Sequence, residues 1–264
     1  MSRARSLAAA QTVPIRGDVE ANLAEHVRLV HAAAKEHAEI LVFPELSLTG
    51  YELDLADGLA FSPDDVRLAP LVALASSYSM TLIVGAPART DSRLYLAAFI
   101  LSPDRSIAIY TKHHLGAFAA SDNPGGAVPP PEASVFHAGD RNPLIRLGAK
   151  AAAVAICADT GRPLHAKAAA DRGAKIYLAS MFVSPPAFDN DTGNLETYAV
   201  RHSMAVVFAN YGGPSGGVAS AGRSAIWSET GPLLAQLEPS GSGVVVAIER
   251  EEGWRAKTIM LDAR

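Results

Sequence analysis

The sequence has little cysteine, few aromatic residues and little charge. Its 264 residues include one cysteine, 6% aromatic residues and 19% charged residues, with a formal net charge of −4. One cysteine cannot form a disulfide within the chain, so the fold does not depend on one. A slightly acidic chain lacks the electrostatic footprint of a nucleic-acid-binding protein, and no apolar run approaches the length of a membrane span. We therefore expect neither nucleic acid nor a membrane among its partners.

Apolar residues are what the sequence has in quantity, at 49% of the chain. A chain of this length and composition can bury a substantial core, and we expect a single α/β domain over residues 1–264. The segment from Met1 to Leu7 has too few apolar residues for a signal peptide. The sequence therefore predicts a cytoplasmic protein.

Strand and helix patterns alternate along the chain, and one unit occurs twice. In chain order the predicted elements are a strand at 7–13, a helix capped by Asp18, a strand at 37–43, a helix at 64–78, strands at 80–85, 94–101, 106–110 and 151–156, a helix at 163–171, a strand at 173–179, a helix at 194–204, and strands near Val206, Arg223, Val244 and Lys257. The strand–helix–strand unit at the start recurs at 151–179, which suggests two similar halves.

The single cysteine, Cys157, directly follows the apolar strand predicted at 151–156. In open α/β sheets, ligands gather outside the carboxyl ends of the strands, so this position suits a nucleophile. Free backbone N–H groups and the positive end of the following helix dipole favour the thiolate. A lone cysteine is also commonly a small buried hydrophobe, and position alone does not separate these two interpretations.

Two charged residues follow other predicted strands. Glu45 comes after the strand at 37–43, and Lys112 comes after the strand at 106–110. With Cys157 they suit acyl transfer from an amide, in which the thiolate attacks the carbonyl carbon, the ammonium stabilises the oxyanion and the carboxylate moves the proton. Each charge alone is more commonly a solvated loop residue, whereas the three together are more specific.

Several short sequence motifs around these residues resemble those of the nitrilase superfamily, the carbon–nitrogen hydrolases. They are Ala9-Ala-Gln11, Leu41-Val-Phe-Pro-Glu45, Thr49-Gly-Tyr51, Tyr110-Thr-Lys112-His-His-Leu115, Ala155-Ile-Cys157-Ala-Asp159, Ala174 to Ser180, Phe208-Ala-Asn210 and Ser220 to Trp227. The resemblance runs across nearly the whole chain, in the family's order of Glu, Lys and Cys. It implies a four-layer α-β-β-α sandwich of the nitrilase type, with copies that pair through helices into a homodimer or a larger even-numbered homo-oligomer.

The resemblance also implies a role for each site residue. Glu45 is implied as general base and acid, Lys112 as oxyanion donor and Cys157 as nucleophile. A second glutamate of the family hydrogen-bonds the catalytic lysine, and Glu132 resembles it, although a loop carboxylate in a proline-rich turn is an equal interpretation. The backbone N–H of Ala158 is implied as a further oxyanion donor.

One stretch departs from the family pattern. Many members follow the cysteine with an aromatic residue and, further on, with an arginine and a glutamate, whereas Ala158, Gly161 and Leu164 occupy those positions here. Asp159 and Pro163 keep theirs. Because the oxyanion contact needs only a backbone N–H, the departure affects the choice of substrate more than the chemistry.

The sequence also suggests which residues surround the substrate. Tyr51 lies shortly after Glu45, and Met181 and Phe182 leave the strand next to the cysteine strand. All three are predicted to bind substrate, with ordinary core packing as the alternative for each. The irregular segment 116–131, rich in glycine and proline, follows Lys112 and predicts a wall or lid of the pocket.

These features predict a cysteine-dependent amidohydrolase that cleaves a non-peptide C–N bond of a small amide or carbamoyl compound through a thioester, releasing ammonia or an amine. Nitrile hydrolysis and a non-catalytic binding or scaffold role in the same fold remain as alternatives. No cofactor is expected. The histidines are scattered along the sequence, and His113, His114 and His137 lack the spacing of a zinc site, so we expect no metal.

Overall fold

A computed structural model describes residues 6–262 of the chain. In chain order its helices and strands are β1 (Ser6–Gln11), α1 (Val19–Lys35), β2 (Ile40–Val42), α2 (Ala56–Leu59), α3 (Ala69–Tyr78), β3 (Thr81–Thr90), β4 (Arg93–Leu101), β5 (Ile107–Thr111), β6 (Leu144–Leu147), β7 (Lys150–Ile156), α4 (Pro163–Asp171), β8 (Ala174–Ser180), α5 (Phe188–His202), β9 (Ala205–Ala209), β10 (Ala225–Trp227), β11 (Leu233–Gln236), β12 (Gly243–Arg250) and β13 (Gly253–Met260). Residues 1–5 lie outside the described residues, and they make up most of the segment Met1 to Leu7 that was considered above as a possible signal peptide. Within the described range, no helix combines the length and apolarity that crossing a bilayer requires.

The strands form two sheets. Within residues 6–262, one sheet has the order β13-β12-β1-β2-β3-β4-β5 and the other has the order β11-β10-β9-β8-β7-β6. Strands β1, β2 and β3 run parallel in the first sheet, and β7, β8 and β9 run parallel in the second. The two predicted strand–helix–strand units, β1-α1-β2 and β7-α4-β8, therefore occupy equivalent positions in the two sheets.

The two sheets pack face to face, with helices on both outer surfaces. The core between them draws on both sheets, through residues such as Leu7 and Val154. A second apolar group, which includes Leu29, joins the first sheet to α1 and α3. A third group, which includes Leu195, joins the second sheet to α4 and α5. The four-layer α-β-β-α sandwich implied by the resemblance is confirmed.

Helix α1 illustrates how the sequence builds an outer layer. Asp18 accepts a hydrogen bond from the Ala21 N–H at 3.0 Å, which caps the first turn. Leu29, Val30 and Ala33 lie on the buried side of the helix. Burial of an aliphatic side chain such as Leu or Val contributes about 1.5–3 kcal/mol, so this stripe fixes α1 against the sheet.

Two helices begin at different residues from those predicted. Helix α5 begins at Phe188, with Asp189 and Asp191 in its first turn, and the low helix propensity of residues 189–193 hides this start in the sequence. Helix α3 begins at Ala69, with proline in its first turn, and a short 3₁₀ turn at Val66–Leu68 replaces the predicted earlier start.

The sequence does not predict the two edge strands of the second sheet, β6 and β11. Each has four residues, and most of their side chains are partly or fully exposed. Short edge strands lack the continuous apolar run that marks the buried parallel strands of the same sheet. The strands that precede Glu45, Lys112 and Cys157 are predicted, and the two edge strands of the second sheet are not.

Candidate active site

Glu45 lies in a tight turn after β2. The turn is tied to β3 by a hydrogen bond from the Leu48 N–H to Gly85 O at 3.0 Å, and the Tyr211 hydroxyl donates to Glu45 O. A Cβ at residue 85 would lie 2.5 Å from Pro44 O, so only glycine allows β3 to approach the turn this closely. The side chain of Glu45 is completely buried as a result.

Lys112 is the first residue after β5. Its backbone N–H donates to Leu96 O, and its carbonyl accepts from the Gly139 N–H, both at 2.8 Å. A Cβ at residue 139 would lie 2.1 Å from Thr111 Oγ1, so glycine permits this contact. Backbone contacts on both sides therefore fix the point from which the lysine side chain extends into the molecule.

The ammonium of Lys112 lies between two carboxylates. Its Nζ donates to Glu45 Oε1 at 2.6 Å and to Glu132 Oε1 at 2.7 Å. Glu132 also accepts hydrogen bonds from the Tyr51 hydroxyl at 2.8 Å and from the Gly116 N–H at 2.7 Å. Glu132 is buried, which excludes the interpretation of this residue as a solvated loop carboxylate.

The charges of this cluster determine where protons reside. Burial would lower the pKa of Lys112, but Glu45 and Glu132 outweigh burial and hold it above its usual range, so the lysine stays charged. Burial raises the pKa of Glu45 from its usual 4.5 to about 8, although Lys112 opposes the rise. Within the described residues, Glu45 Oε2 is buried without a hydrogen-bond partner. One cation cannot fully offset two buried carboxylates, and Glu45 is the one poised to bind a proton.

Cys157 lies at the end of β7 and begins a 3₁₀ turn, Cys157–Asp159. Its backbone has a φ of +42°, a left-handed conformation that is uncommon for a residue with a side chain. Its Sγ lies 3.7 Å from Phe182 O. Ala158 is the second residue of the turn, so its N–H has no acceptor within the turn and can serve a ligand.

The surroundings of Cys157 favour its neutral thiol. Burial and the nearby charge of Glu45 raise its pKa well above the usual range, although Lys112 acts in the opposite direction. The sequence-based expectation of a thiolate favoured by a helix dipole is therefore wrong. A short turn follows the cysteine and α4 begins only at Pro163, so burial of the thiol and then the charge of Glu45 outweigh any effect of the helix dipole on its pKa.

Asp159 joins the cysteine turn to the segment after Lys112. This fully buried carboxylate accepts hydrogen bonds from the Ile156 N–H at 3.1 Å, the His114 N–H at 2.8 Å and the Tyr110 hydroxyl at 2.6 Å. These contacts fix Cys157 and Lys112 relative to each other, because each donor belongs to one of the two strand ends.

The histidines are less scattered than the sequence suggests. The ring of His165 contacts the rings of His113 and His114, with centroids 5.5 and 6.4 Å away. His165 also lies 2.9 Å from the Tyr110 hydroxyl, and burial lowers its pKa to about 4. This neutral histidine is part of the packing that supports Asp159. Among the described residues no group of three or more metal-ligating side chains is arranged to hold an ion.

A cavity of about 200 Å³ opens at Cys157. It is lined by Tyr51, Gly116, Ala117, Phe118, Asp122, Glu132, Cys157, Ala158, Thr160, Gly161, Phe182, Val183, Ser184, Ala187 and Asp191. Part of the irregular segment 116–131 thus forms one wall. Behind Cys157 the lining residue Glu132 forms an ion cluster with the fully buried Lys112 and Glu45, which do not line the cavity, and we call these three residues the floor.

Of the predicted substrate contacts, Tyr51 and Phe182 line the cavity and Met181 does not. The side chain of Met181 packs with the apolar group under α4 and α5, on the outer face of the second sheet. The interpretation of Met181 as a pocket residue is wrong because the alternation of β8 continues past its end. Ser180 and Phe182 face the other sheet, and the residue between them must face away.

Sequence reasoning missed three polar residues at the opposite side of the cavity. Asp122 and Ser184 are joined by a hydrogen bond of 2.6 Å, and Asp191 lies nearby in the first turn of α5. We call these three residues the rim. The sequence also did not reveal the structural role of Asn210. Its side-chain oxygen accepts a hydrogen bond from the Val183 N–H at 2.9 Å and so fixes the lining segment after β8. No periodic pattern marks any of them.

Comparison with known proteins adds a family. The family model described as carbon–nitrogen hydrolase matches residues 6–254. The chain is 27% identical over 260 residues to a glutamine-dependent NAD(+) synthetase from Rhodobacter capsulatus, covering 94% of this chain and 44% of that protein. The chain therefore spans less than half of the length of this relative. It is 27% identical over 203 residues to a 2-oxoglutaramate amidase from Bacillus subtilis, covering 76% of this chain and 74% of that protein.

Solved structures agree on the fold. An amidase from Nesterenkonia sp. AN1 superimposes with a TM-score of 0.79 at 22% identity, covering 92% of this chain and 89% of that one. That structure is of a mutant with the acetamide moiety of fluoroacetamide added covalently at the active site cysteine. At this identity the likeness establishes the shared architecture.

Proposed function

The chain belongs to the carbon–nitrogen hydrolase family, and from that premise we propose that it is a cysteine-dependent amidohydrolase. Its substrate is a small amide or carbamoyl compound, whose non-peptide C–N bond is cleaved through a thioester with release of ammonia or an amine. The observation that carries this proposal is the fully buried contact of Lys112 with Glu45 and Glu132, directly behind a cavity lined by Cys157.

In the first step, Glu45 accepts the proton of the Cys157 thiol while the sulfur attacks the carbonyl carbon. A C–S bond forms and the carbonyl π electrons move onto oxygen, where Lys112 Nζ and the Ala158 N–H stabilise the negative charge. A base with a pKa near neutrality is suited to this transfer, and burial gives Glu45 such a pKa.

Collapse of the tetrahedral intermediate re-forms the C=O bond and breaks the C–N bond. Glu45 returns the proton to the departing nitrogen, and the acyl group stays on Cys157 as a thioester. Glu45 then takes a proton from water, the water oxygen attacks the thioester carbon, and the C–S bond breaks. The sulfur recovers its proton and the carboxylic acid leaves, so that atoms and charges balance over the cycle.

The relatives support the same chemistry. One solved relative is an amidase that forms a covalent adduct at its active site cysteine, and one curated relative is an amidase of 2-oxoglutaramate. Another depends on glutamine, which carries a primary amide. Cys157 is the only cysteine in this chain, and we assign to it the role of that nucleophile.

Ammonia release from neutral primary amides such as butanamide and pentanamide tests the proposal. We expect turnover in the wild type, none in Cys157→Ala, and an acyl adduct on Cys157 in rapidly quenched wild-type samples analysed by mass spectrometry. Unchanged rates in Cys157→Ala would exclude the nucleophile assignment. The matched nitriles test nitrile hydrolysis, and binding of amides without turnover in the wild type would favour the non-catalytic role.

We also propose that copies of the chain pair through their outer helices. Leu164 on α4 and Val200 on α5 support this, because their side chains are 77% and 57% exposed although both are apolar. Light scattering at micromolar concentration should return the mass of a dimer or a larger even-numbered assembly. A strict monomer would exclude it.

A further inference from the structure

The charged residues that line the cavity are all acidic. They are Asp122, Glu132 and Asp191, and among the described residues no lysine, arginine or histidine lines this cavity. Glu132 is paired with Lys112, so its charge is already offset. The carboxylates of Asp122 and Asp191 have only neutral partners in the described structure. The rim therefore offers two carboxylates that no cationic side chain among the described residues offsets.

Asp122 is held firmly in this position. Its Oδ1 accepts a hydrogen bond from the Ser184 hydroxyl and its Oδ2 accepts one from the Ala119 N–H, both at 2.6 Å. Ser184 is itself completely buried. The contact with Ala119 caps the short 3₁₀ turn Ala120–Asp122, and the two donors together fix the orientation of the carboxylate without removing its charge.

Asp191 lies in the first turn of α5, where stabilisation by the helix dipole is the simplest explanation for a carboxylate. A carboxylate in the first turn of a helix is stabilised by the helix dipole, which would lower its pKa. Burial instead raises the pKa of Asp191, and the charge of Asp122 raises it further. The surroundings of Asp191 thus disfavour its negative charge, and a cation placed between the two carboxylates would reverse this.

Cys157 and the floor lie at the end of the cavity opposite the rim, and they indicate where the reacting amide group of a substrate would lie. Cys157 is the nucleophile of the proposed reaction, and the fully buried Glu45 Oε2 behind it has no hydrogen-bond partner among the described residues. An amide whose carbonyl carbon reaches the sulfur places its NH₂ group and its oxygen at the floor. The remainder of the molecule then extends toward the rim.

We propose that the cavity binds a short primary amide that carries a positively charged amino group, with Asp191 and Asp122 as the specificity-determining residues. This inference rests on the proposed amidohydrolase function. A cavity of about 200 Å³ is smaller than the roughly 300–1,000 Å³ typical of sites for drug-sized ligands, so the chain between amide and ammonium is short. An amide with a carboxylate at that end would place a further carboxylate beside Asp122 and Asp191 and should bind less well than a neutral amide.

Three amides of similar length test the charge preference. 4-Aminobutanamide is cationic, pentanamide replaces its ammonium with a methyl group, and glutaramate places a carboxylate there. We expect the wild-type kcat/KM to be at least about tenfold higher for 4-aminobutanamide than for pentanamide, a difference of about 1.4 kcal/mol, and lowest for glutaramate. Equal values for all three amides would overturn the inference.

Variants locate the preference in the rim. In Asp191→Asn and in Asp122→Asn, the ratio of kcat/KM for 4-aminobutanamide to that for pentanamide should fall, and in the double variant it should approach one. Asp189→Asn is the matched control, because Asp189 lies in the same helical turn but is exposed and does not line the cavity. A ratio that persists in the double variant, or falls equally in Asp189→Asn, would contradict the assignment.

Binding separates this inference from the proposed function. Calorimetric titration of Cys157→Ala with the same three amides reports the charge preference without turnover. Tighter binding of 4-aminobutanamide by Cys157→Ala, with no ammonia released by the wild type, would sustain the preference and refute the hydrolase. Hydrolysis of all three amides at similar rates, with similar affinities in Cys157→Ala, would sustain the hydrolase and refute the preference.

Discussion

The floor and the rim of the cavity manage charge in opposite ways. On the floor, Lys112 contacts two carboxylates, and the side chains of Lys112 and Glu45 are completely buried. On the rim, Asp122 and Asp191 are partly exposed and meet only neutral donors among the described residues. A closed cluster can prepare a reaction before any ligand arrives, whereas an unbalanced pair needs a ligand to complete it. Under the two proposals above, the floor supplies the chemistry of the site and the rim supplies its selectivity.

Removal of the floor cation should have the largest effect. Lys112→Met keeps the length of the side chain but deletes the proposed oxyanion donor, and loss of one such donor lowers kcat on the order of 10²–10³-fold. It also leaves Glu45 and Glu132 buried without a cation, so both carboxylates should bind protons and Glu45 could no longer serve as the proposed base. Steady-state kinetics with pentanamide measures the loss, and circular dichroism checks the fold.

Lys167→Met is the matched control for that variant. Lys167 lies on the exposed face of α4 in an ion pair with Asp171 at 2.7 Å, and surface pairs of this kind contribute about 0–1 kcal/mol. Its kcat should equal that of the wild type. If the kcat of Lys112→Met were within tenfold of the wild-type value, the floor would have a structural role only, and Lys112 would not be the oxyanion donor.

The next largest effect should be a fall in the free energy of unfolding with rising pH, caused by Glu45 of the floor. The folded state holds the proton of Glu45 more tightly than the unfolded chain, because burial raises this pKa from 4.5 to about 8. As pH rises above 4.5 the unfolded chain releases that proton first, so the free energy of unfolding should fall, by at most about 1.4 kcal/mol per pH unit, until the pH approaches 8. Urea unfolding between pH 5 and 8 measures this decline.

Glu45→Gln should remove the decline, since glutamine carries no titrating proton. Glu251→Gln, which changes an exposed carboxylate in the turn between β12 and β13, should keep the wild-type profile. Parallel profiles for the wild type and Glu45→Gln would show that Glu45 binds its proton no more tightly in the folded state, and the floor would then lose its assigned base.

The floor was more accessible to sequence reasoning than the rim. Glu45 and Lys112 of the floor, like Cys157 in front of it, each follow a strand with a strong apolar pattern, and carboxyl ends of strands are where α/β folds gather ligands. Glu132 follows a proline-rich segment and is indicated only by the family resemblance. Asp122 lies in an irregular segment and Asp191 in a helical turn of poor helix propensity, far apart in the sequence. Only the packing of α5 against the second sheet brings the two carboxylates to one cavity.

Glycine positions behind the floor should have a smaller but measurable effect. A Cβ at Gly85 would meet the Glu45 turn at 2.4 Å from Leu46 N, a backbone atom that cannot rotate away. Gly85→Ala should therefore lower the free energy of unfolding by about 1–3 kcal/mol and lower kcat as the base moves. Thermal unfolding reports it, at about 2–4 °C per kcal/mol.

Gly193→Ala provides the comparison for Gly85→Ala. Gly193 lies inside α5, and a Cβ there would have no atom within 4 Å. Alanine in a helix is favoured over glycine by about 0.5–1 kcal/mol, so this variant should unfold at the same or a higher temperature. If Gly85→Ala behaved in the same way, the close approach of β3 would not hold the Glu45 turn.

The smallest effect should come from two neighbouring residues on opposite faces of one strand end. Phe182 lines the cavity and contacts the rings of Tyr51 and Phe118, with centroids 5.4 and 5.0 Å away, whereas Met181 packs under the outer helices. Phe182→Leu should raise KM for pentanamide a few-fold because the wall recedes from the ligand. Met181→Leu conserves volume, costs less than about 1.5 kcal/mol of stability, and should leave kcat and KM unchanged. Equal changes in KM for both variants would mean that Met181 affects the substrate as much as Phe182 does. The alternation of side chains along β8 would then not determine which residues line the cavity.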